Sequence, residues 1–259
     1  MSYLRAGDHQ LEYVWIGPTP DQAPTIVFLH EGLGCIKIWG DLPSRVSDAT
    51  GCGVLIYTRA GYGNSDPLPL PRPNTFMHTE ATTVLPEVLE RLNVREAILF
   101  GHSDGGSIAL IHAGTSTAGI VRGLILESPH VFVEDISIAG ILAAKEDYEH
   151  GTLREKFQGQ NDDSTFHGWT DVWLSPTFRS WNIEEFLPGI KVPMLLIQGV
   201  DDEYGTLAQV RAIEQGTGGP IEIMILEDCG HDPHRDQTDL VLARTKEFID
   251  EIFPRLRET

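Results

Sequence analysis

Short apolar runs recur along this chain, each bounded by turn residues and separated by stretches with room for one helix. Thr25–Leu29, Gly53–Tyr57, Ala97–Phe100, Val121–Leu126, Met194–Ile197 and Ile221–Leu226 are rich in Val, Ile, Leu and Phe, and most do not alternate with polar residues. Strands of that kind bury both faces, which requires a mostly parallel sheet covered by helices on both sides. Residues 9–16 add an edge strand, and helical patterning falls over 79–92, 104–116, 205–215 and 237–253. The 259 residues suffice for one α/β domain with a substantial core. No internal repeat or low-complexity tract interrupts the pattern.

The alternation fails once. Between Pro129 and Pro188 no buried-strand signal occurs, and the segment is rich in Trp, Phe, Asp and Glu, with Trp169, Trp173 and Trp181 close together. Connections between a strand and a helix normally take ~2–6 residues. A small helical insertion over 132–186 is therefore expected after the sixth core strand, dividing the core into 1–131 and 187–259. Its tryptophans either hold the insertion together or line a pocket.

Lys and Arg total 19 against 38 Asp and Glu, a formal charge of -19. A surface that negative repels nucleic-acid backbones and anionic lipid headgroups, so a small-molecule substrate is expected rather than nucleic acid or a membrane. The three cysteines, Cys35, Cys52 and Cys229, cannot all pair and match no zinc or redox spacing. The first ten residues lack a basic start followed by an apolar run, and no segment approaches the ~18 apolar residues of a membrane span. A cytoplasmic enzyme is the expectation, and a homodimer is left open.

Chemistry concentrates at Gly101-His102-Ser103-Asp104-Gly105, which directly follows the strand Ala97–Phe100 and directly precedes a helical pattern. A strand, tight turn and helix in that order hold a serine in a strained backbone with its hydroxyl exposed. Serine is too weak an acid to attack unaided and needs a base with an orienting carboxylate. Two sites beyond the ends of later strands offer them: Asp201 and Asp202 after Met194–Ile197, and His231 after Ile221–Leu226.

With these residues the chain resembles the α/β-hydrolase superfamily, in its capped, single-domain, esterase-like form, over nearly its whole length. Leu29-His30-Glu31-Gly32-Leu33-Gly34 is similar to the family's oxyanion loop, and Arg59-Ala-Gly-Tyr-Gly-Asn-Ser65 to its Arg-x-x-Gly-x-Ser segment. Gly101–Gly105 resembles the nucleophile elbow, Gly199-Val-Asp-Asp202 the acid motif and Gly230-His231 the base motif. The resemblance implies Ser103 as nucleophile, His231 as base and Asp202 as acid, with Asp201 and Glu127 as competing acids and His234 as competing base. It implies oxyanion donors at the amides of Gly32 and Asp104, and no cofactor.

Glu31 stands where the family usually has glycine. The expectation is that its side chain turns into a structural hydrogen bond with Arg59 or a backbone amide, because an unpaired buried charge is costly; the competing reading is that it shapes substrate choice. His130, at the end of a strand where the insertion opens, and Trp173 are further candidates for substrate contact. His30 and His102 read as structural. The spacing His231-x-x-His234 suggests a metal pair, but no third ligand accompanies it in sequence, so no metal site is expected.

The reaction implied is hydrolysis of small to medium carboxylic esters through an acyl-enzyme. Alternatives are carbon–carbon hydrolysis of dienoic ring-cleavage products, cofactor-free perhydrolase chemistry, and a catalytically silent binding module on the same scaffold. Epoxide hydrolases and haloalkane dehalogenases resemble this pattern but place Asp where this chain has Ser103.

Overall fold

A computed structural model describes residues 1–151 and 161–254. Eight strands form one sheet: β1 (Ser2–Ala6), β2 (His9–Ile16), β3 (Thr25–Leu29), β4 (Gly53–Tyr57), β5 (Ala97–His102), β6 (Val121–Glu127), β7 (Met194–Gly199) and β8 (Ile221–Leu226). Their spatial order is β1-β2-β4-β3-β5-β6-β7-β8. The pairs β1–β2 and β2–β4 are antiparallel, and every pair from β4 to β8 is parallel. This is the mostly parallel, doubly covered sheet that the unbroken apolar runs require.

Alternate residues of each central strand belong to opposite faces, as the strand period dictates. Val27, Leu29, Leu55 and Leu99 pack in one core with α2 (Phe76–Thr79), α3 (Leu85–Arg91), α4 (Asp104–Thr115) and α7 (Leu207–Gly216). Ile26, Phe28, Val54, Ile98 and Phe100 pack in a second core against α1 (Leu42–Thr50) and α9 (Thr238–Ile252). A wide π turn, Glu80–Val84, joins α2 to α3 just before Pro86. Proline has no N–H to donate and crowds the carbonyl four residues back, so the helix opens there.

Besides short helical turns such as Pro233–Asp236, one strand and one longer helix were not foreseen. β1 buries only Ala6 fully and pairs on one side alone, so its side chains carry little hydrophobic signal. Helix α1 has Ser, Arg and Asp among its nine residues, and its buried face of Leu42, Pro43, Val46, Ser47 and Thr50 is partly polar. Pro43 sits in its first turn, where proline is tolerated.

Between β6 and β7 the described residues hold no strand of that sheet. They form α5 (Asp135–Glu149), α6 (Asp162–Trp173) and a 3-10 turn at Glu184–Gly189. An isolated bridge between Phe132 and Asn182 brings the start and end of this segment together. The short helix α8 (Pro233–Asp236) precedes α9. Among the described residues, no helix is long and apolar enough to cross a membrane.

Candidate active site

The turn between β5 and α4 forces Ser103 into φ 51°, ψ −119°, a backbone that a non-glycine residue adopts only when its surroundings demand it. The surroundings do. A Cβ on Gly101 would lie 2.5 Å from the Gly105 carbonyl oxygen, and one on Gly105 would lie 1.9 Å from that of Leu29. Strand, turn and helix therefore meet where no side chain fits. The Ser103 amide donates to the Glu127 carbonyl at 2.9 Å, anchoring the turn to β6. Ser103 is buried but lines a cavity of about 660 Å³.

His231 lines the same cavity. Its Nδ1 lies 2.9 Å from both carboxylate oxygens of Asp202. Asp202 is buried and accepts further hydrogen bonds from the Tyr204 amide (2.8 Å), the Gly205 amide (3.1 Å) and Gln198 Nε2 (2.6 Å). Burial alone would raise its pKa, but the neighbouring His231 charge and these hydrogen bonds hold it well below the carboxylate range. In the same way burial opposes protonation of His231, yet the Asp202 charge and hydrogen bond raise its pKa. Asp201 is exposed and donates its amide to the Cys229 carbonyl, outside this arrangement.

The competing residues pair with each other instead. Glu127 Oε2 accepts from His234 Nδ1 at 2.6 Å, both side chains almost fully buried. His102 Nε2 donates to the His231 carbonyl at 2.8 Å and lies 3.5 Å from Asp232 Oδ1. Space therefore gathers what the sequence separates: His102 and Asp232 stand beside His234, while His231 lies outside that cluster and pairs with Asp202.

The loop after β3 is held by its backbone. Arg59 sends one guanidinium nitrogen to the His30 carbonyl and another to the Glu31 carbonyl at 2.9 Å. His30 Nε2 accepts from the Arg59 amide at 3.1 Å, so its Nδ1–H donates to the Glu31 carbonyl at 2.8 Å. The expected pairing of the Glu31 carboxyl with Arg59 does not form; the two terminal guanidinium nitrogens of Arg59 bond carbonyls instead. The Glu31 side chain instead lines the cavity, with Oε2 buried and unpartnered among the described residues. It fits because Gly34 has no side chain: a Cβ there would lie 2.1 Å from Glu31 Oε2. Burial, reinforced by the charge of Asp232, pushes the Glu31 pKa up to about 7.

Gly32 lines the cavity too, and a Cβ on it would strike the Trp169 indole at 2.3 Å. Asp104 opens α4, where the first helical amides have no partner within the helix. Its own side chain is fully buried, and burial raises its pKa against the opposing charges of Arg59 and Arg72.

His130 and Trp173 both face the cavity, their rings 5.2 Å apart. Burial, with the nearby His231 charge, lowers the His130 pKa to about 4. Of the three clustered tryptophans, Trp169 and Trp173 reach the cavity, whereas Trp181 packs on Phe178. Sequence reasoning missed Tyr204, whose ring lies 4.8 Å from that of His231, and Ile141 of α5. Tyr204 could have been suspected from its place two residues after Asp202; no signal marks Ile141.

Comparison with known proteins agrees with this architecture. Residues 26–244 match the model of the alpha/beta hydrolase family. The chain belongs to that family. Among curated proteins it is 33% identical over 128 residues to a proline iminopeptidase of Lactobacillus delbrueckii subsp. lactis, covering 49% of this chain and 42% of that protein. The chain thus spans under half of that relative's length. A proline iminopeptidase of Lactobacillus helveticus is 23% identical over 272 residues, covering 89% of this chain and 91% of that one. Among solved structures, the enol-lactonase from Burkholderia xenovorans LB400 superposes with a TM-score of 0.72 at 21% identity, covering 96% and 98% of the two chains. At that identity the likeness is one of fold.

Proposed function

We propose that this alpha/beta hydrolase is a serine hydrolase of small to medium carboxylic esters, with Ser103 as nucleophile, His231 as base and Asp202 as the acid that orients it. The observation that carries the proposal is the two-oxygen contact of Asp202 with His231 Nδ1, in a cavity shared with the strained Ser103. With Nδ1–H fixed on Asp202, the Nε2 lone pair is left to take the Ser103 proton as Oγ attacks the ester carbonyl. The oxyanion then rests on the amides of Gly32 and Asp104. His231 passes its proton to the departing alcohol, and water repeats the sequence to release the acid. Asp202 stays ionised throughout and stabilises the imidazolium.

Residues 132–186 act as a cap on the core formed by 1–131 and 187–259. Its Ile141, Ala144, Trp169 and Trp173, with Leu33 and Ile38 of the core, supply apolar wall for an acyl or alcohol group. The composition supports a cytoplasmic location. Hydrolysis of p-nitrophenyl esters together with labelling of Ser103 by a fluorophosphonate tests the assignment. A folded protein that does neither would refute it.

A second reading has its own support. Glu31, Asp147 and Glu203 bring carboxyl groups to the cavity, a setting that favours a substrate with a free ammonium group. An aminoacyl amide, of the kind implied by the name of the proline iminopeptidases, fits that setting. The ratio of kcat/KM for proline p-nitroanilide to that for p-nitrophenyl butyrate separates the two.

A further inference from the structure

The buried imidazoles behind His231 form an arrangement that ester hydrolysis does not use. His234 donates Nδ1–H to Glu127, which fixes its tautomer and leaves the Nε2 lone pair free of that carboxylate. That Nε2 is buried and has no hydrogen-bond partner among the described residues. A histidine held by a carboxylate on one nitrogen and free on the other is arranged as a metal ligand is. One donor atom from each of His102, Asp232 and His234 lies within 4.8 Å of the other two. His102 Nε2 and Asp232 Oδ1 are 3.5 Å apart, close to the roughly 3.4 Å between ligands of a tetrahedral zinc ion with bonds of about 2.0–2.1 Å.

The ligand set is two imidazoles and one carboxylate, which suits zinc and its neighbours better than calcium or magnesium. The His102 and His234 side chains are buried, but that of Asp232 is 38% exposed and lines the cavity, so an ion has a way in. The formal charge of -19 raises the local concentration of cations.

We propose that His102, Asp232 and His234 form a site for a zinc-class divalent cation that inhibits the enzyme when filled. Binding through Nε2 moves the ring proton of His102 to Nδ1, which has no partner among the described residues, and so breaks its hydrogen bond to the His231 carbonyl. It also ties down Asp232, the residue next to His231. Both changes act on the backbone that holds His231, so filling the site shifts its ring from the position set by Asp202. The binding is independent of which ester or amide is cleaved; the inhibition rests on the proposed role of His231.

The test is calorimetric titration of zinc chloride into the full chain, with p-nitrophenyl ester turnover followed in parallel. One equivalent should bind, and turnover should fall about tenfold or more, reversibly on adding EDTA. His234→Gln and Asp232→Asn should each weaken binding about tenfold or more, while His231→Gln should still bind. Asp232 is partly exposed, so its variant keeps the test open if the His234 variant fails to fold. Absence of binding, binding unchanged in Asp232→Asn, or binding lost in His231→Gln would overturn the site. Binding with undiminished turnover would overturn the inhibitory role. Should the wild type turn over no substrate, the calorimetry still decides the site.

Discussion

The turn that carries Ser103 and the loop that carries Glu31 leave the ends of neighbouring strands, β5 and β3, and meet at one cavity. They are fixed in opposite ways. The first is determined by close backbone packing: Gly101 and Gly105 leave no room for a side chain, Ser103 takes a left-handed backbone, and its amide is tied to β6. The second is determined from outside. Arg59 grips its carbonyls, and the Glu31 side chain that lines the cavity keeps a carboxyl oxygen without a partner among the described residues. A segment whose packing demands glycine at fixed positions shows its conformation in its sequence. A segment clamped by a distant arginine does not.

That contrast is sharpest in the effects of substitution. Ser103→Ala should lower kcat by ~10⁴–10⁶ with an unchanged melting curve, because alanine fits the same turn. A variant that keeps a tenth of the activity would remove the nucleophile from the elbow. Asp202→Asn should cost ~10⁴ in kcat by destabilising the needed tautomer of His231, while Asp201→Asn, exposed and uninvolved, should change kcat less than about threefold. Equal effects would place the acid elsewhere.

Gly105→Ala should fold poorly or lose about 3 kcal/mol, since its methyl would overlap the Leu29 carbonyl. A stable Gly105→Ala protein would show that the turn is less determined than its geometry says.

Glu31→Gln carries the smallest effect, and it depends on pH. Below about 4.5 the carboxyl is protonated whether the chain is folded or not, and it contributes nothing. Between about 4.5 and 7 the unfolded chain ionises while the folded chain holds the proton, so stability falls as pH rises, and above 7 the loss is complete. Removing that acid should therefore raise stability by roughly 1–3 kcal/mol above pH 7 and change little near pH 4. Melting curves at the two pH values check this. A loss of stability at pH 8 would mean that the carboxylate has a structural partner after all.

Much of the fold was legible because the central strands are buried on both faces and so spell themselves as apolar runs. β1 and α1 were not, since one lies at the sheet edge and the other buries polar Ser47 and Thr50 beside its few apolar residues. In the site, Ser103, Asp202 and His231 announce themselves through local motifs. The pairing of Glu127 with His234, 107 residues apart, and the side-chain-free space at Gly34 that admits Glu31 exist only once the chain is folded.

The bridge between Phe132 and Asn182 has a meaning for descent as well as for shape. A stretch that departs and rejoins at one pair of neighbouring residues can be exchanged whole without disturbing the strands on either side. Lengthening such a stretch costs little, because closure entropy grows only with the logarithm of its length. Ser103 and His231 stay in place through any such exchange, while Ile141, Trp169 and Trp173 depart with the stretch that bears them. One body of this kind can thus acquire a new diet by trading a single piece.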